Sequence, residues 1–348
     1  MSGGLLLSIM RDPASAAALE GGRWNALVAA ARAEQMIGNL ATRLEPYERD
    51  FPAAVRAILA DARGEAAHAR TRALWEADRA ADALLPLGIP VVLLKGTAYA
   101  AAGLDAGAGR SIGDLDILVP RDRLDEAEAA LLAAGWEWVK PDPYDDAYYR
   151  QWMHELPPLI HSERDRMIDV HHTILPLTAR PRPDASAMLA DAVSLPSGLK
   201  ILSHEHMVIH ACAHLMADGD LAGGLRNLWD IDRLCRAFAA EREDFYLALY
   251  EESARHGLFA PVARALRLAH DMYGTPVASC VAPIQVDMAL RWSDRLFRAR
   301  MIARDGWGRE TRKLLRFAFF IRSHWLRMPP MMLARHLWTK WRKGHRPT

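Results

Sequence analysis

The chain predicts an α+β fold, with a small mixed β-sheet core preceded by N-terminal helices and followed by a larger C-terminal helical region. Three observations carry this expectation. Short apolar runs with alternating side chains cluster between residues 86 and about 175. Ala-rich stretches with apolar residues at helical spacing flank them on both sides. No Gly-x-Gly-x-x-Gly turn follows any strand-like run, which excludes a Rossmann arrangement.

Taken in order, residues 14 to 85 read as about three helices. Trp24, Leu27, Val28 and Ala31 share one face, Leu40 and Leu44 another, and breaks fall near Gly38 and between Pro46 and Pro52. The apolar run before them has no basic residue ahead of it and no small-residue cleavage site, so it is not expected to be a signal peptide. Pro90 to Leu94 and Leu115 to Val119 are apolar strands, and a helix from Arg121 to Ala134 closes at Gly135. Trp136 to Val139 is a further strand, followed by a polar, unpatterned segment holding Asp142, Asp145 and Asp146. Leu156 to His161 and Arg166 to His171 pair as a hairpin across residues 162 to 165. From Asp184 onward the pattern is helical almost throughout, with candidates at 203–217, 221–239, 244–256, 259–273 and 285–304. The expected organisation is a helical region 1–85, an α/β core 86–180, a helical domain 181–285 and a basic, Trp-rich helical tail 286–348.

The chemistry concentrates between Val91 and His171. Asp114 and Asp116 are one residue apart at the start of an apolar strand, so their side chains share one face. Side by side they repel unless something positive lies between them, and a divalent cation meets that need. Upstream, the strand 90–94 runs into Lys95-Gly96-Thr97, which offers a charge, a close backbone approach and a hydroxyl to a phosphate group. Downstream, alternation places Asp169 and His171 on one face of their strand.

These residues resemble the nucleotidyltransferase superfamily built like DNA polymerase beta, whose signature is a Gly-Ser or Gly-Thr turn, an Asp-x-Asp on the next strand and a third acid on a later one. Here these are Gly96-Thr97, Asp114 with Asp116, and Asp169. More narrowly, the chain resembles a bacterial family of uncharacterised nucleotidyltransferases with a Leu-Lys-Gly turn and an Arg before the Asp pair, as in Leu94-Lys95-Gly96 and Arg110. The resemblance covers roughly residues 20 to 235. It implies Mg²⁺ or Mn²⁺ held by Asp114, Asp116 and Asp169, with Asp169 also taking the acceptor's proton. Lys95, Gly96, Thr97 and Arg110 would hold the triphosphate of a nucleoside triphosphate donor, with His171 as a further phosphate or substrate contact. One departure stands out: the 16 residues 98–113 between Thr97 and Asp114 exceed the superfamily's usual spacing and are rich in Ala and Gly, so a mobile loop is expected there.

Other clusters attract attention less securely. His206, His210 and His214 recur every four residues, but the outer two stand about 12 Å apart along a helix axis and cannot share one ion. Polar contacts at a domain interface are the expectation for them, with one free to line the cleft. Asp230 and Asp232 diverge by about 200° on a helix, so they are no second metal pair, and Asp230 is expected to pair with Arg226 four residues earlier.

Composition bounds the rest. The chain is 51% apolar and 25% charged over 348 residues, as for a soluble globular protein, and no run approaches a membrane span. Its 3 cysteines lack metal-type spacing and fit a reducing compartment, so a cytoplasmic protein is expected. From Arg291 on, 16 Lys and Arg face 3 Asp and Glu, a surplus of 13 against a net charge of +1, which leaves −12 on the rest. The tail interleaves those bases with Trp292, Phe297, Trp307, Phe317, Trp325, Trp338 and Trp341. It reads as a C-terminal helical layer with a solvated Arg face and a Trp core face, or as a peripheral contact at the inner membrane surface, or as a surface that stacks on nucleic acid. The acidic body disfavours a nucleic-acid track, leaving a small molecule or a peptide as the expected acceptor. The competing expectation is a non-catalytic nucleotide-binding or membrane-surface scaffold with the same fold.

Overall fold

A computed structural model describes residues 2–139, 142–217, 221–278, 280–281, 284–327 and 338. Trp341 and most of the tail after Arg327 lie outside the described residues.

The α+β expectation holds. A seven-stranded mixed sheet is built from β1 (Val92–Leu93), β2 (Leu115–Leu118), β3 (Trp136–Trp138), β4 (Leu159–His161), β5 (Met167–His171), β6 (Val193–Ser194) and β7 (Lys200–Ile201), in the order β3-β4-β5-β2-β1-β7-β6. β1 and β2 run antiparallel, whereas β2 and β5 run parallel. β2 is buried along its whole length, because helices cover it and neighbouring strands flank it, which explains its unbroken apolar run around Asp116.

N-terminal to the sheet, the helices Gly21–Ala33, Ile37–Leu44 and Ala53–Leu84 fall where the apolar spacing put them. Ser2–Arg11 is also a helix, and its Leu6, Ile9 and Met10 are buried. The apolar run at the N-terminus is thus part of the core. C-terminal to the sheet, the helices His204–Ala217, Gly224–Glu241, Phe245–Arg255 and Phe259–Tyr273 pack on one another, and Phe259–Tyr273 also meets the helix Ser2–Arg11. One contiguous apolar core runs from Leu6 through Leu93, Ile117, Ile209 and Phe238 to Phe319.

Four sequence expectations need correction. Residues 98–113 are a packed segment rather than a loose loop: the turn Asp105–Gly107 lies against the helix Gly224–Glu241, and the helix Lys95–Ala101 packs on that turn and on the helix Ala53–Leu84. Its small residues serve close backbone approach, since a Cβ on Gly109 would overlap the Gly38 carbonyl and one on Gly107 would press on the Ala100 amide. The region after Asp184 holds β6 and β7, a hairpin turned by Leu195 to Leu199 with Gly198 at φ 85, and β7 extends the sheet beside β1. The polar segment after Trp138 contains a helix, Pro143–Trp152, capped by Asp142 accepting the Tyr144 amide at 2.7 Å, with Pro143 suited to its first turn. The helix expected at 285–304 spans only Trp292–Met301, behind a short hairpin of β8 (Cys280–Val281) and β9 (Ile284–Gln285).

Candidate functional site

The parallel pairing of β2 and β5 sets Asp116 directly opposite Asp169 and Leu118 opposite His171. Neighbouring strands lie about 4.8 Å apart. Asp114, just before β2, projects to the same side, and oxygens of Asp114, Asp116 and Asp169 all lie within 4.8 Å of one another. Asp114 is exposed, Asp169 half-buried and Asp116 buried, so the cluster opens to solvent at one end. Hard carboxylate oxygens converging this closely suit Mg²⁺ or Mn²⁺.

Lys95 and His171 already face Asp116. Lys95 Nζ lies on its Oδ1, and His171 Nε2 lies 3.0 Å from the same oxygen. Burial favours the neutral acid at Asp116, but Lys95 and His171 outweigh it and hold the carboxyl well below its ordinary range. For Lys95, burial favours the neutral amine, and Asp116 overrides this and raises its pKa. Asp169 has no such partner among the described residues. Burial, then Asp116 and Glu155, push it up to about 7. A carboxyl that takes a proton so readily is short of positive charge, which is the condition a bound cation relieves.

Asp114 and Asp116 line a cleft of about 370 Å³, and Asp169 lies beside them off its lining. The sheet side contributes Lys95, Gly96, Asp114 and Asp116, the packed segment Arg110 and Ser111, and the helical side His210, His214, Arg226 and Asp230. Backbone strain gathers here. Lys95 (φ 49) and Gln35 (φ 55) both line the cleft, two of the five non-glycine residues with positive φ among those described.

Each anticipated site residue has a definite place. Gly96 lines the cleft, and a Cβ there would overlap the Arg110 guanidinium, so glycine is required for Arg110 to lie across the turn. Arg110 is buried, with Nε 2.9 Å from Asp230 Oδ2 and its guanidinium over the Tyr99 ring. Thr97 lies behind the cleft wall, not on its lining; its buried hydroxyl has no partner among the described residues. His171 also lies behind the lining, between Asp116 and Glu155, whose Oε2 is 3.4 Å from His171 Nδ1. It can steady Asp116 from behind; it does not face the cavity.

The expected Arg226–Asp230 pair is replaced by Arg110–Asp230, because residues 98–113 bring Arg110 against the helix. Arg226 instead reaches Gln35 and Asn227. It faces the cleft without a carboxylate partner among the described residues, and burial followed by Arg110 lowers its pKa. Asp232 points away, toward Arg233, Arg236 and Thr275, as its angular offset requires.

The three histidines divide. His210 and His214 line the cleft, where burial, with Lys95 next, drives both toward the neutral form and His210 down to about 3. His206 turns away to His256 and Glu252. These three side chains approach each other as metal ligands would. However, His256 Nδ1 accepts the Asp184 amide hydrogen, so the neutral ring carries its proton on Nε2 and donates it to His206 at 3.0 Å. The pair is closed by that hydrogen bond and is read as structural. Sequence reasoning did not anticipate Gln35, Ser111, Glu155 or Asn227, for no local pattern marks them.

A mixed sheet with three converging carboxylates beside a cleft holding Lys95, Arg110 and Arg226 could hold a divalent cation next to a phosphate group. Comparison with known families is specific. The profile of the uncharacterised nucleotidyltransferase family matches residues 20–274, well over half of the chain, and the protein belongs to that family. It is accordingly a nucleotidyltransferase, an enzyme that transfers a phosphorus-containing group. No curated protein matches the chain.

Proposed function

We propose that the enzyme transfers a nucleoside monophosphate from a nucleoside triphosphate to a hydroxyl of a small molecule or peptide, with Mg²⁺ or Mn²⁺ held by Asp114, Asp116 and Asp169. The observation that carries this reading is the carboxylate cluster, of which Asp114 and Asp116 line a cleft that also holds Lys95, Arg110 and Arg226. When bound, the cation would supply the positive charge that draws the phosphate oxygens in and offsets the charge that builds during transfer.

The chain's own residues divide the remaining work. Lys95, Arg110 and Arg226 line one cavity and favour a polyanion over a neutral ligand. Arg226 is the freest of them, because Asp116 engages Lys95 and Asp230 engages Arg110. Neutral His210 and His214 can donate hydrogen bonds without adding charge. The acceptor oxygen forms a bond to the α-phosphorus as the α–β bridging bond breaks, and pyrophosphate carries away that electron pair. Asp169 takes the acceptor's proton, a role its position beside Asp116 suits.

An acceptor has room to approach. A groove of about 620 Å³ lies against the cleft, sharing Ser111 and Ile112 with it. Ala62, Ala66 and Ala69 contribute its apolar lining; Glu65, His68 and Arg72 contribute its polar groups. A groove this size takes a small molecule or the end of a peptide, and its mixed lining suits neither a duplex nor a long single strand.

The test is a thermal-shift screen of the four nucleoside triphosphates with and without Mg²⁺, on the natural chain and on Asp116→Ala. A metal-dependent rise with one nucleotide, absent in the variant, is the expected result. No shift with any nucleotide would contradict the reading. The Lys95–Asp116 contact favours one second reading, a nucleotide-binding protein without turnover. In that case the nucleotide shifts the melting temperature without need of metal, and no pyrophosphate appears.

A further inference from the structure

The helix Lys313–Arg327 meets the body with one face only. Phe319 and Ser323 are buried against it, Phe319 edge-on to Phe297 with ring centroids 4.8 Å apart. Arg322 reinforces the same side, donating to the Met216 carbonyl at 3.0 Å and lying over the Phe297 ring. The opposite face carries Leu314 (88% exposed), Phe317 (60%), Ile321 (51%) and Trp325 (57%). These four fall within about 80° around the helix, a continuous apolar stripe turned to solvent.

The stripe is no scatter of surface side chains. Nine of the 18 exposed large hydrophobics among the described residues lie from Trp292 onward, with Trp292 and Trp307 the most exposed of the tryptophans. Charge follows the same region. No Asp or Glu occurs after Glu310, while 10 Lys and Arg do. Lys313 and Arg316, the latter paired with Glu310, lie along one side of the stripe.

We infer that this face docks on an anionic lipid bilayer, with Leu314, Phe317, Ile321 and Trp325 entering the headgroup and acyl boundary and the flanking bases meeting the lipid phosphates. An apolar stripe bordered by bases, with tryptophan at its end, is the chemistry of an interfacial helix. The charge of the remaining chain adds orientation, since the acidic body is repelled by the surface that attracts the tail. None of the described helices is long and apolar enough to cross a membrane, so the contact lies on the surface. Nucleic acid fits less well, because the exposed centre of the face is aliphatic at Leu314 and Ile321, where a phosphate track needs bases and stacking rings.

The experiment is vesicle sedimentation of the full chain and of Phe317→Glu/Ile321→Glu, using phosphatidylcholine vesicles with and without about one-third phosphatidylglycerol. The natural chain is expected to sediment with the anionic vesicles, at least about tenfold better than with neutral ones, and to be released by raised salt. The double variant is expected to lose that binding at an unchanged melting temperature, because both residues point away from the core. If its melting temperature falls, quenching of tryptophan fluorescence in the natural chain by brominated anionic lipid reads the same contact, and an unquenched signal overturns the inference. Equal sedimentation with both vesicle types, no sedimentation with either, or a variant that sediments like the natural chain would each overturn it. So would self-association of the natural chain that is lost in the variant and unaffected by lipid, which would make the stripe an interface between copies.

Discussion

Two groups of carboxylates in this protein are built on opposite terms. Asp294 is buried, and its two oxygens take Arg264 Nε and Arg267 Nε, each at 2.8 Å, plus the Arg291 amide. Asp232 is likewise shared among Arg233, Arg236 and Thr275. Around β2 and β5, three carboxylates meet one lysine and one histidine, both spent on Asp116. The balanced groups tie helices together. The unbalanced one opens on a cleft with fewer cations than carboxylates, the difference that supports the proposed cation site.

The largest effect expected from this contrast is on turnover. Asp114→Asn keeps shape and removes charge at an exposed position, so pyrophosphate release should fall about a thousandfold or more while the melting temperature stays within a degree or two. Equal activity in the variant would put the cluster on the structural side of the comparison. The mirror experiment is Asp294→Asn, which leaves buried Arg267 and half-buried Arg264 without a counter-charge. It should cost about 3 to 5 kcal/mol of stability by urea titration. Under conditions where it remains folded, its response to Mg²⁺ should be unchanged.

Smaller effects come from pH. Asp169 binds its proton more tightly when folded, with its pKa raised from 3.8 to about 7. The stability this contributes is fully present below the unfolded value and is lost as pH rises through about 7 in the metal-free protein. Asp169→Asn should therefore raise the metal-free melting temperature at pH 8 and leave it nearly unchanged near pH 4. The reverse order would show that Asp169 is already neutralised. For the same reason, Mg²⁺ affinity in the natural chain should weaken by up to about tenfold for each pH unit below about 7, read by calorimetry. The smallest effect is expected at Arg226→Gln, which should weaken nucleotide binding about tenfold without changing metal binding, since Asp230 is held by Arg110.

How much of this was legible in the sequence depends on the range of each contact. Asp114 and Asp116 could be read because a strand's period of two places them on one face, and the apolar run after them marks the strand as buried. Asp169 and His171 followed by the same alternation on β5. What β2 and β5 do to each other could not be read locally: the register that sets Asp116 against Asp169, and Glu155 behind His171, joins segments far apart in the chain. Arg110 illustrates the same limit. Its partner Asp230 is 120 residues away, so an intrahelical pair with Arg226 was the best local reading. Two signals were present and underused: Asp142-Pro143 as a helix start, and Leu195 to Gly198 as a turn between strands too short for a pattern of their own. The glycines and alanines of residues 98–113 read as looseness because a sequence does not reveal which backbone comes close, and here Gly38 does.

The central claim is that the unbalanced carboxylates receive a divalent cation, and Mn²⁺ titration followed by electron paramagnetic resonance tests it most directly. The measurement compares the natural chain with Asp114→Asn at pH 8, with and without the nucleotide that shifts the melting temperature. The account predicts saturable Mn²⁺ binding in the natural chain, tightened by nucleotide and largely lost in the variant. Mn²⁺ bound equally by both, or by neither, would contradict it.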